Sequence, residues 1–343
     1  MSNRTPKTHS DRTGELALLR QIRARAAGTT GAGLRLGIGD DCALLGLRRS
    51  EEVAVTTDLS LAGRHFRLDW HAPETVGHRA LARGLSDLAS MGARPLAAFL
   101  SLGLPRDLAV RRGVRAAWVE RFYDGLLGLA ERHHTPLAGG DLAESPLALA
   151  DIVLVGAVPS GTALLRSGAR PGDLLYVTGS LGGAAFGLER LAKIATATER
   201  KTPPALSIKQ KKELAPHLFP EPRLAQGQWL RNRKAATAAI DLSDGLSTDL
   251  THLCEESGVA AEVDAAALPV YPGATLALAL HGGEDYELLF AARPTIKLPR
   301  SIAGVPITAI GRVLARRRGH PVITLLTQEG PQPLAPRGWQ HFA

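Results

Sequence analysis

Two aspartates, Asp241 and Asp244, stand where an apolar run meets a helical pattern. Residues 235–240 are apolar except for one threonine, which predicts a short buried strand, and residues 247–257 have the pattern of a helix. Gly245 lets the backbone of the turn approach a ligand closely, and a helix start offers free N–H groups. Two carboxylates at such a turn could hold a divalent cation that binds phosphate oxygens. An Asp N-cap followed by a turn glycine gives the same pattern.

Other acidic side chains occupy comparable places. Asp41 lies in a glycine-rich turn, which an ordinary hairpin would also explain. Residues 53–57 form a β-branched run that predicts a strand ending at Asp58, so the hydroxyls of its last two threonines lie beside that carboxylate. Asp87 interrupts an apolar helical pattern, and periodicity leaves open whether it points to solvent or to a site. Two glycines precede Asp141 and would let backbone amides meet a phosphate.

These acids are expected to form one constellation. Ligands of open α/β sheets gather outside the carboxyl ends of the strands. Converging carboxylates repel one another unless Mg²⁺ ions and a polyphosphate balance them, and phosphoryl transfer requires mainly positioning and charge neutralisation. The sequence has no Walker P-loop and no protein-kinase signature. An enzyme that uses ATP here would therefore hold the phosphates chiefly through metal bound by Asp41, Asp58, Asp87, Asp141, Asp241 and Asp244.

Length and composition narrow the class of protein. A chain of 343 residues predicts two domains, and 45% hydrophobic with 22% charged residues is typical of a soluble globular protein. No apolar run has the length of a membrane span, no secretory leader is visible, and two cysteines suit a reducing cytosol. We therefore expect a cytoplasmic protein without a membrane partner.

The net charge of +8 raises the possibility of nucleic-acid binding. The basic residues are scattered along predicted helices, aromatic residues make up only 4%, and no stacking motif or zinc spacing accompanies them. Solvated helix faces explain the charge better. We expect no nucleic-acid partner.

Strand-like and helix-like segments alternate through the first half of the sequence, which predicts an α/β layout. One long helix is expected over residues 107–132, and the polar, Lys-rich segment 195–216 is expected to be an exposed excursion. The connection that begins at residue 159 suggests a first domain of residues 1–158 and a second of residues 159–343.

Seven ordered motifs resemble the thiamine-monophosphate kinase family. They extend over nearly the whole chain and comprise Gly-Ile-Gly-Asp-Asp-Cys-Ala-Leu-Leu (37–45), Thr-Thr-Asp (56–58), Leu-Ser-Asp-Leu-Ala-Ser-Met-Gly-Ala (85–93), Gly-Gly-Asp (139–141), Arg-Ser-Gly-Ala-Arg-Pro-Gly-Asp (166–173), Asp-Leu-Ser-Asp-Gly-Leu (241–246) and Gly-Gly-Glu-Asp-Tyr-Glu-Leu (282–288). The resemblance implies the two-domain α/β (α+β) fold of the aminoimidazole ribonucleotide synthetase and selenophosphate synthetase superfamily. It also implies a homodimer built through the N-terminal sheets, with the C-terminal α/β domain completing the active site.

The same resemblance implies direct in-line transfer of a phosphoryl group from ATP to thiamine phosphate with Mg²⁺. It assigns metal ligation to Asp41, Thr56, Thr57, Asp58, Asp87, Asp141, Asp241 and Asp244. It assigns ATP contacts to Gly140, Asp141, Arg166 and Ser243, and thiamine phosphate contacts to His65, Glu284 and Trp339. The catalytic centre is expected at Asp141, Asp241 and Asp244.

Three other functions are compatible with parts of this pattern. The nearest is another ATP-dependent enzyme of the same superfamily that acts on a different phosphorylated substrate. A metal-dependent phosphohydrolase would need a nucleophilic Asp or a positioned water in a family motif, which the sequence does not show. A basic scaffold would bind nucleic acid in a salt-dependent way without ATP turnover.

Overall fold

The computed structural model describes residues 15–29, 31, 33–39, 42–109, 117–197 and 202–338. The elements up to residue 159 are α1 (Glu15–Ala26), β1 (Leu34–Leu36), β2 (Leu44–Leu45), β3 (Glu51–Leu61), α2 (Pro73–Ser90), β4 (Arg94–Leu104), α3 (Arg106–Ala109), α4 (Trp118–Arg132), β5 (Leu137–Glu144) and β6 (Leu149–Pro159). The elements after it are β7 (Leu174–Thr178), α5 (Gly183–Thr196), α6 (Ile208–Glu213), α7 (Ala215–Leu218), α8 (Leu224–Asn232), β8 (Ala238–Asp241), α9 (Leu246–Ser257), β9 (Val259–Asp264), α10 (Leu276–His281), β10 (Leu288–Ala292), β11 (Ser301–Ile302), β12 (Val305–Ala315), β13 (Ile323–Thr327) and β14 (Gly330–Pro333).

The N-terminal sheet has the strand order β3-β6-β4-β5, with only β4 and β5 parallel. Helices α2 and α4 cover one face, where Leu81, Leu85 and Phe122 are completely buried. The two helices approach closely, since a Cβ built on Gly77 would lie 1.9 Å from the Phe122 carbonyl oxygen. This close packing fixes α2 against the sheet, and α2 carries polar side chains to the site described below.

The C-terminal sheet has the strand order β14-β13-β9-β12-β7-β10-β8, and β11 pairs with β12. One face packs under α9, with Leu250 and Ile240 in the same hydrophobic cluster. The opposite face contributes Leu288 and Phe290 to the cluster that contains α2 and the N-terminal sheet. Helix α2 therefore lies between the two sheets, and the halves share one core. The predicted α/β class with two sheets is confirmed, whereas the division after residue 158 stays a prediction.

Three expectations about local structure are wrong. Strand β3 continues to Leu61 because it pairs with β6 along its full length, so Thr56–Asp58 lie inside a strand rather than at its end. The helix expected over residues 107–132 is not continuous, because Ala117 has extended backbone angles (φ −62°, ψ 155°) before α4 begins. The end of the 195–216 segment is buried rather than exposed, since Leu214 packs with Leu191 and Leu218 in a small core.

Within the described ranges, no helix is both long and apolar enough to cross a membrane.

Candidate functional site

A cavity of about 490 Å³ opens between the two halves of the molecule. Its wall is formed by β3 and the loop after it, α2, the start of α5, the turn between β8 and α9, and the chain just before β10. This cavity brings together many of the residues expected from the sequence, namely Asp58, His65, Asp87, Asp241, Ser243, Asp244 and Glu284.

The turn between β8 and α9 is held by a carboxylate that the sequence analysis missed. Asp249 Oδ2 accepts hydrogen bonds from the backbone N–H groups of Ser243, Asp244 and Gly245 at 3.0–3.1 Å. These N–H groups, expected to be free for a phosphate, are therefore occupied by the helix's own side chain. Burial raises the pKa of Asp249 to about 7, with repulsion from Asp244 as the next cause. An Asp in the first turn of α9 was the available signal.

Asp241 is the last residue of β8 and is 3% exposed. The Ser86 hydroxyl of α2 donates to Asp241 Oδ2 at 2.7 Å, which joins the two halves at the cavity wall. Burial raises the pKa of Asp241 well above its usual range, and repulsion from Asp87 adds to this effect. A nearby cation would therefore stabilise the ionised form of this carboxylate.

Asp87 projects from α2 towards the cavity, which settles the direction left open by periodicity. The Thr56 hydroxyl of β3 donates to Asp87 Oδ2, and burial raises the pKa of Asp87. Burial, followed by repulsion from Asp87, raises the pKa of Asp58 to about 6. Arg83 opposes this rise, with its Nε 3.5 Å from Asp58 Oδ1. Acids on β3, α2 and β8 thus lie within electrostatic reach of one another.

The donor set suits a hard divalent cation such as Mg²⁺, which prefers carboxylate and hydroxyl oxygens. Within the residues that the structure describes, no three His, Cys, Asp or Glu side chains converge closely enough to hold a metal ion. Asp41, a predicted ligand, lies outside the described residues. The cavity acids therefore form a wall rather than a closed cage, which is the usual arrangement for Mg²⁺ held jointly by protein and substrate phosphates.

Two other predicted ligands face away from this wall. Thr57 is exposed and lies on the opposite face of β3 from Thr56 and Asp58, because side chains alternate along a strand. Asp141 on β5 pairs with Ser101 on β4, which pairs with Asp151 on β6, and Asp151 pairs with Leu59 on β3. Paired residues of neighbouring strands point to the same face of a sheet, so Asp141 lies on the outer face, as Leu59 and Thr57 do. Within one chain, these two side chains do not reach the cavity that holds Asp58.

Gly140 and Asp141 line a separate cavity of about 450 Å³ together with Cys42. The glycine is required by strand pairing, since its φ is +148° and an added Cβ would lie 1.9 Å from the Leu100 carbonyl oxygen. Asp141 Oδ1 accepts a hydrogen bond from the Leu142 N–H at 2.8 Å. The expected ATP-contact positions are thus divided between two cavities. Arg166 is exposed, and its charge lowers the pKa of Asp87 against the effect of burial.

Two of the three expected thiamine phosphate contacts, His65 and Glu284, line the same cavity as the acidic wall. His65 Nδ1 accepts from the Leu61 N–H at 3.0 Å, which fixes the ring at the end of β3. Glu284 Oε2 lies 2.6 Å from Arg79 Nη2, and Arg79 is 5% exposed. Arg79, which lies eight residues before Asp87 on α2, was not singled out from the sequence, although this spacing keeps both near one side of the helix.

Trp339 lies outside the described residues, but the chain just before it docks beside Asp244. The Gly338 N–H donates to Thr248 Oγ1 at 3.0 Å, and a Cβ on this glycine would lie 2.0 Å from the Asp244 carbonyl oxygen. The Arg337 N–H donates to Ser247 Oγ at 3.3 Å. The start of α9 therefore anchors the segment that leads to Trp339.

Comparisons with known proteins agree with this architecture. The sequence matches the family described as AIR synthase related protein, N-terminal domain, over residues 39–163, and AIR synthase related protein, C-terminal domain, over residues 170–323. The chain is 41% identical to the thiamine-monophosphate kinase of Escherichia coli (strain K12) over 322 residues, which cover 90% of this chain and 93% of the relative.

Solved structures give the same picture. Thiamine-monophosphate kinase from Stenotrophomonas maltophilia K279a aligns with a TM-score of 0.75 and 36% identity over 91% of this chain and 96% of that chain. AaThiL complexed with AMPPCP and TMP aligns with a TM-score of 0.71 and 30% identity over 98% of this chain and 100% of that chain. Because identity of this level extends over both halves, this chain belongs to the thiamine-monophosphate kinase family within the AIR synthase related proteins.

Proposed function

We propose that this protein transfers the γ-phosphoryl group of ATP to thiamine phosphate, which gives thiamine diphosphate and ADP. The observation that carries the proposal is the cavity between the halves, where the acidic wall lies close to His65 and Glu284. The related AaThiL structure contains AMPPCP and TMP, a combination consistent with a nucleotide and an acceptor bound together. The sequence relatives named thiamine-monophosphate kinase support the same reaction.

Mg²⁺ fits the acidic wall, with Asp58, Asp87, Asp241 and Asp244 as the residues that would hold it. When bound, Mg²⁺ neutralises charge on the phosphate oxygens and favours in-line displacement. Ser86 and Asp249 keep their neighbouring carboxylates in place. Because a phosphate monoester has a second pKa of about 6, the acceptor is already mostly ionised at neutral pH. The proposed transfer therefore needs no general base.

We also propose that the protein is a homodimer that pairs through the outer face of the N-terminal sheet. Val53, Val55 and Leu59 on this face are 45–61% exposed, which is a large apolar area to leave in water. Thr57 and Asp141 lie on the same face, so pairing would bring a second chain close to these predicted ligands. The two unpaired cysteines, Cys42 and Cys254, support a cytoplasmic location.

A product assay tests the reaction. Pure protein is incubated with Mg²⁺ and ATP, with or without thiamine phosphate, while thiamine diphosphate and ADP are measured. We expect both products only when both substrates are present, and we expect EDTA to stop the reaction until Mg²⁺ is restored. Formation of ADP without thiamine diphosphate would contradict the proposal.

A further inference from the structure

Two buried histidines meet at the wall of the larger cavity. His71 Nε2 lies 2.9 Å from His217 Nε2, and both residues are 2% exposed. His71 belongs to the loop before α2, whereas His217 belongs to α7, directly after the segment 195–216 that was expected to be exposed. Both side chains line the cavity.

The hydrogen bonds of His71 determine where the protons lie. Burial and the nearby Arg79 charge lower the pKa of His71 to about 3 and also lower the pKa of His217, so each ring is neutral near pH 7 and carries one N–H. His71 Nδ1 faces two backbone groups of Arg67, the N–H at 3.1 Å and the carbonyl oxygen at 3.2 Å. The carbonyl oxygen already accepts from the N–H groups of Trp70 and His71, so we assign Nδ1 as the acceptor of the Arg67 N–H. His71 therefore carries its proton on Nε2 and donates it to His217 Nε2.

It follows that His217 carries its proton on Nδ1. Among the described residues, this nitrogen is a buried polar atom without a hydrogen-bond partner. Its nearest carboxylate oxygen is Glu284 Oε2 at 3.8 Å, too far for a hydrogen bond. A buried donor that is left unpaired costs about 1–3 kcal/mol. An acceptor atom on a ligand would remove that cost.

A donor on His217 and an acceptor on Glu284 thus lie side by side in the cavity wall. The His217 Nδ1–H is a donor, and the Glu284 carboxylate has lone pairs for a further donor in addition to Arg79. A 4-aminopyrimidine presents the complementary edge, with a ring nitrogen that accepts next to an amino group that donates. The Glu284 side chain is 26% exposed and lines the cavity, so its carboxylate is accessible to such a ring.

We propose that His217 and Glu284 together recognise the aminopyrimidine edge of the acceptor, with His217 Nδ1–H donating to the ring nitrogen and Glu284 accepting from the amino group. His71 holds the His217 ring in the tautomer that this pairing requires. The inference rests on the proposed function for the identity of the acceptor. It makes His217 a specificity-determining residue for the ring of the acceptor rather than a residue that would hold the metal or the phosphates.

The test compares two buried histidines. His217→Phe removes the donor, and we expect KM for thiamine phosphate to rise by about tenfold or more, as loss of a paired donor implies, while KM for ATP stays within about twofold. His78→Phe is the matched control, because His78 is 3% exposed and donates to the Pro220 carbonyl rather than lining the cavity. An unchanged KM for thiamine phosphate in folded His217→Phe would overturn the inference.

A substrate analogue makes the test independent of folding. We use thiamine phosphate with CH in place of the pyrimidine nitrogen next to the amino group. Wild-type protein should use this analogue with a kcat/KM about tenfold lower, and His217→Asn, which retains a side-chain N–H near the position of Nδ1, should keep that preference. Equal kcat/KM for both compounds in wild-type protein would refute the pairing.

Direct binding separates this inference from the proposed function. If wild-type protein makes no thiamine diphosphate, the proposed function fails, and calorimetry with thiamine phosphate then tests the pairing alone. Binding that His217→Phe weakens by about tenfold would support the inference, whereas binding that is absent or insensitive to His217 would overturn it.

Discussion

The inner and outer faces of the N-terminal sheet hold their acidic residues differently. On the inner face, Asp58 lies among α2 and β8, where burial and Asp87 raise its pKa to about 6. On the outer face, Asp141 is exposed and its hydrogen bond is to the next backbone N–H. The inner carboxylates are thus held close together at an electrostatic cost, which a cation would relieve.

Motifs that are far apart in the sequence converge at one cavity, with one exception. Motifs on β3, α2 and the β8–α9 turn meet because α2 is packed between both sheets. The Gly-Gly-Asp motif lies on β5, at the far edge of the same sheet. Four strands spaced about 4.8 Å apart place these edges about 14 Å from each other. A residue such as Asp141 would therefore take part only through a long substrate or a second chain.

The largest effect is expected for the acidic wall itself. Asp244→Asn removes one negative charge at the cavity while keeping the shape of the side chain, so turnover should fall by about 1,000-fold. The melting temperature should change little, because the carboxylate is not a core residue. The matched control is Glu255→Gln on the exposed side of α9, which should leave turnover unchanged. An Asp244→Asn variant with the wild-type rate would refute the assignment of the wall to catalysis.

Turnover should fall less when the β8–α9 turn loses its Asp249 anchor than when Asp244 is neutralised. Asp249→Ala leaves three backbone N–H groups, of which that of Gly245 is buried, without their acceptor, so unfolding free energy should fall by about 1–3 kcal/mol and turnover by about 10- to 100-fold. Denaturant unfolding and the product assay measure the two effects. Asp249→Asn retains a side-chain oxygen and should recover most of the stability. Equal stability of the alanine variant and the wild type would contradict the anchoring role.

The outer face is tested by adding a charge. Val55 is 61% exposed on β3, and Val55→Glu should convert the proposed dimer to a monomer, because an uncompensated charge in an apolar interface costs several kcal/mol. Light scattering at a fixed protein concentration measures the change. Ile208→Glu is the control, since Ile208 is 89% exposed on α6, away from the sheet. If both variants remain dimeric, the interface lies elsewhere; if the wild type is monomeric, the homodimer proposal fails.

An effect on stability alone, with none expected on turnover, concerns the buried His78 of α2. Burial lowers the pKa of His78 to about 4, whereas an unfolded histidine titrates near 6.5. Between pH 4 and 6.5 the histidine is protonated in the unfolded chain but neutral in the folded protein, so lowering the pH favours unfolding. The stability that neutral His78 provides is therefore fully present above pH 6.5 and is lost as the pH falls towards 4. The slope is at most about 1.4 kcal/mol per pH unit. His78→Gln should show a shallower loss of unfolding free energy from pH 6.5 to 4, and parallel curves would contradict the assignment.

Much of the architecture follows from local sequence patterns. The strand predicted over residues 235–240 is present as β8 (Ala238–Asp241), and α9 follows the Asp-Gly turn within one residue of the expected start. The positions of the acids beside glycines and predicted strands can be read from short stretches of the sequence. The cavity residues Asp58, Asp87, Asp241 and Asp244 could therefore be identified before the fold was known.

The remaining features depend on tertiary contacts that no local pattern encodes. Strand β3 extends past residue 57 because β6 offers a partner along its whole length. Asp58 and Asp141 lie on opposite faces of the N-terminal sheet. Side chains alternate between the two faces with every residue, so the strand register decides which face each carboxylate occupies. His217 is buried because Leu214 and Leu218 pack into a core with Leu191. The role of Asp249 requires the fold of the turn, since its partners lie four to six residues earlier.

We propose that the wall of inner carboxylates, Asp58, Asp87, Asp241 and Asp244, holds the divalent cation. Equilibrium binding of Mn²⁺ as a spectroscopic substitute for Mg²⁺, measured by electron paramagnetic resonance in the presence of a non-hydrolysable ATP analogue, tests it directly. Asp241→Asn should bind Mn²⁺ at least about tenfold more weakly than the wild type, because it removes a carboxylate that is 3% exposed and beside Asp87. Identical Mn²⁺ affinity and stoichiometry in the two proteins would contradict the account.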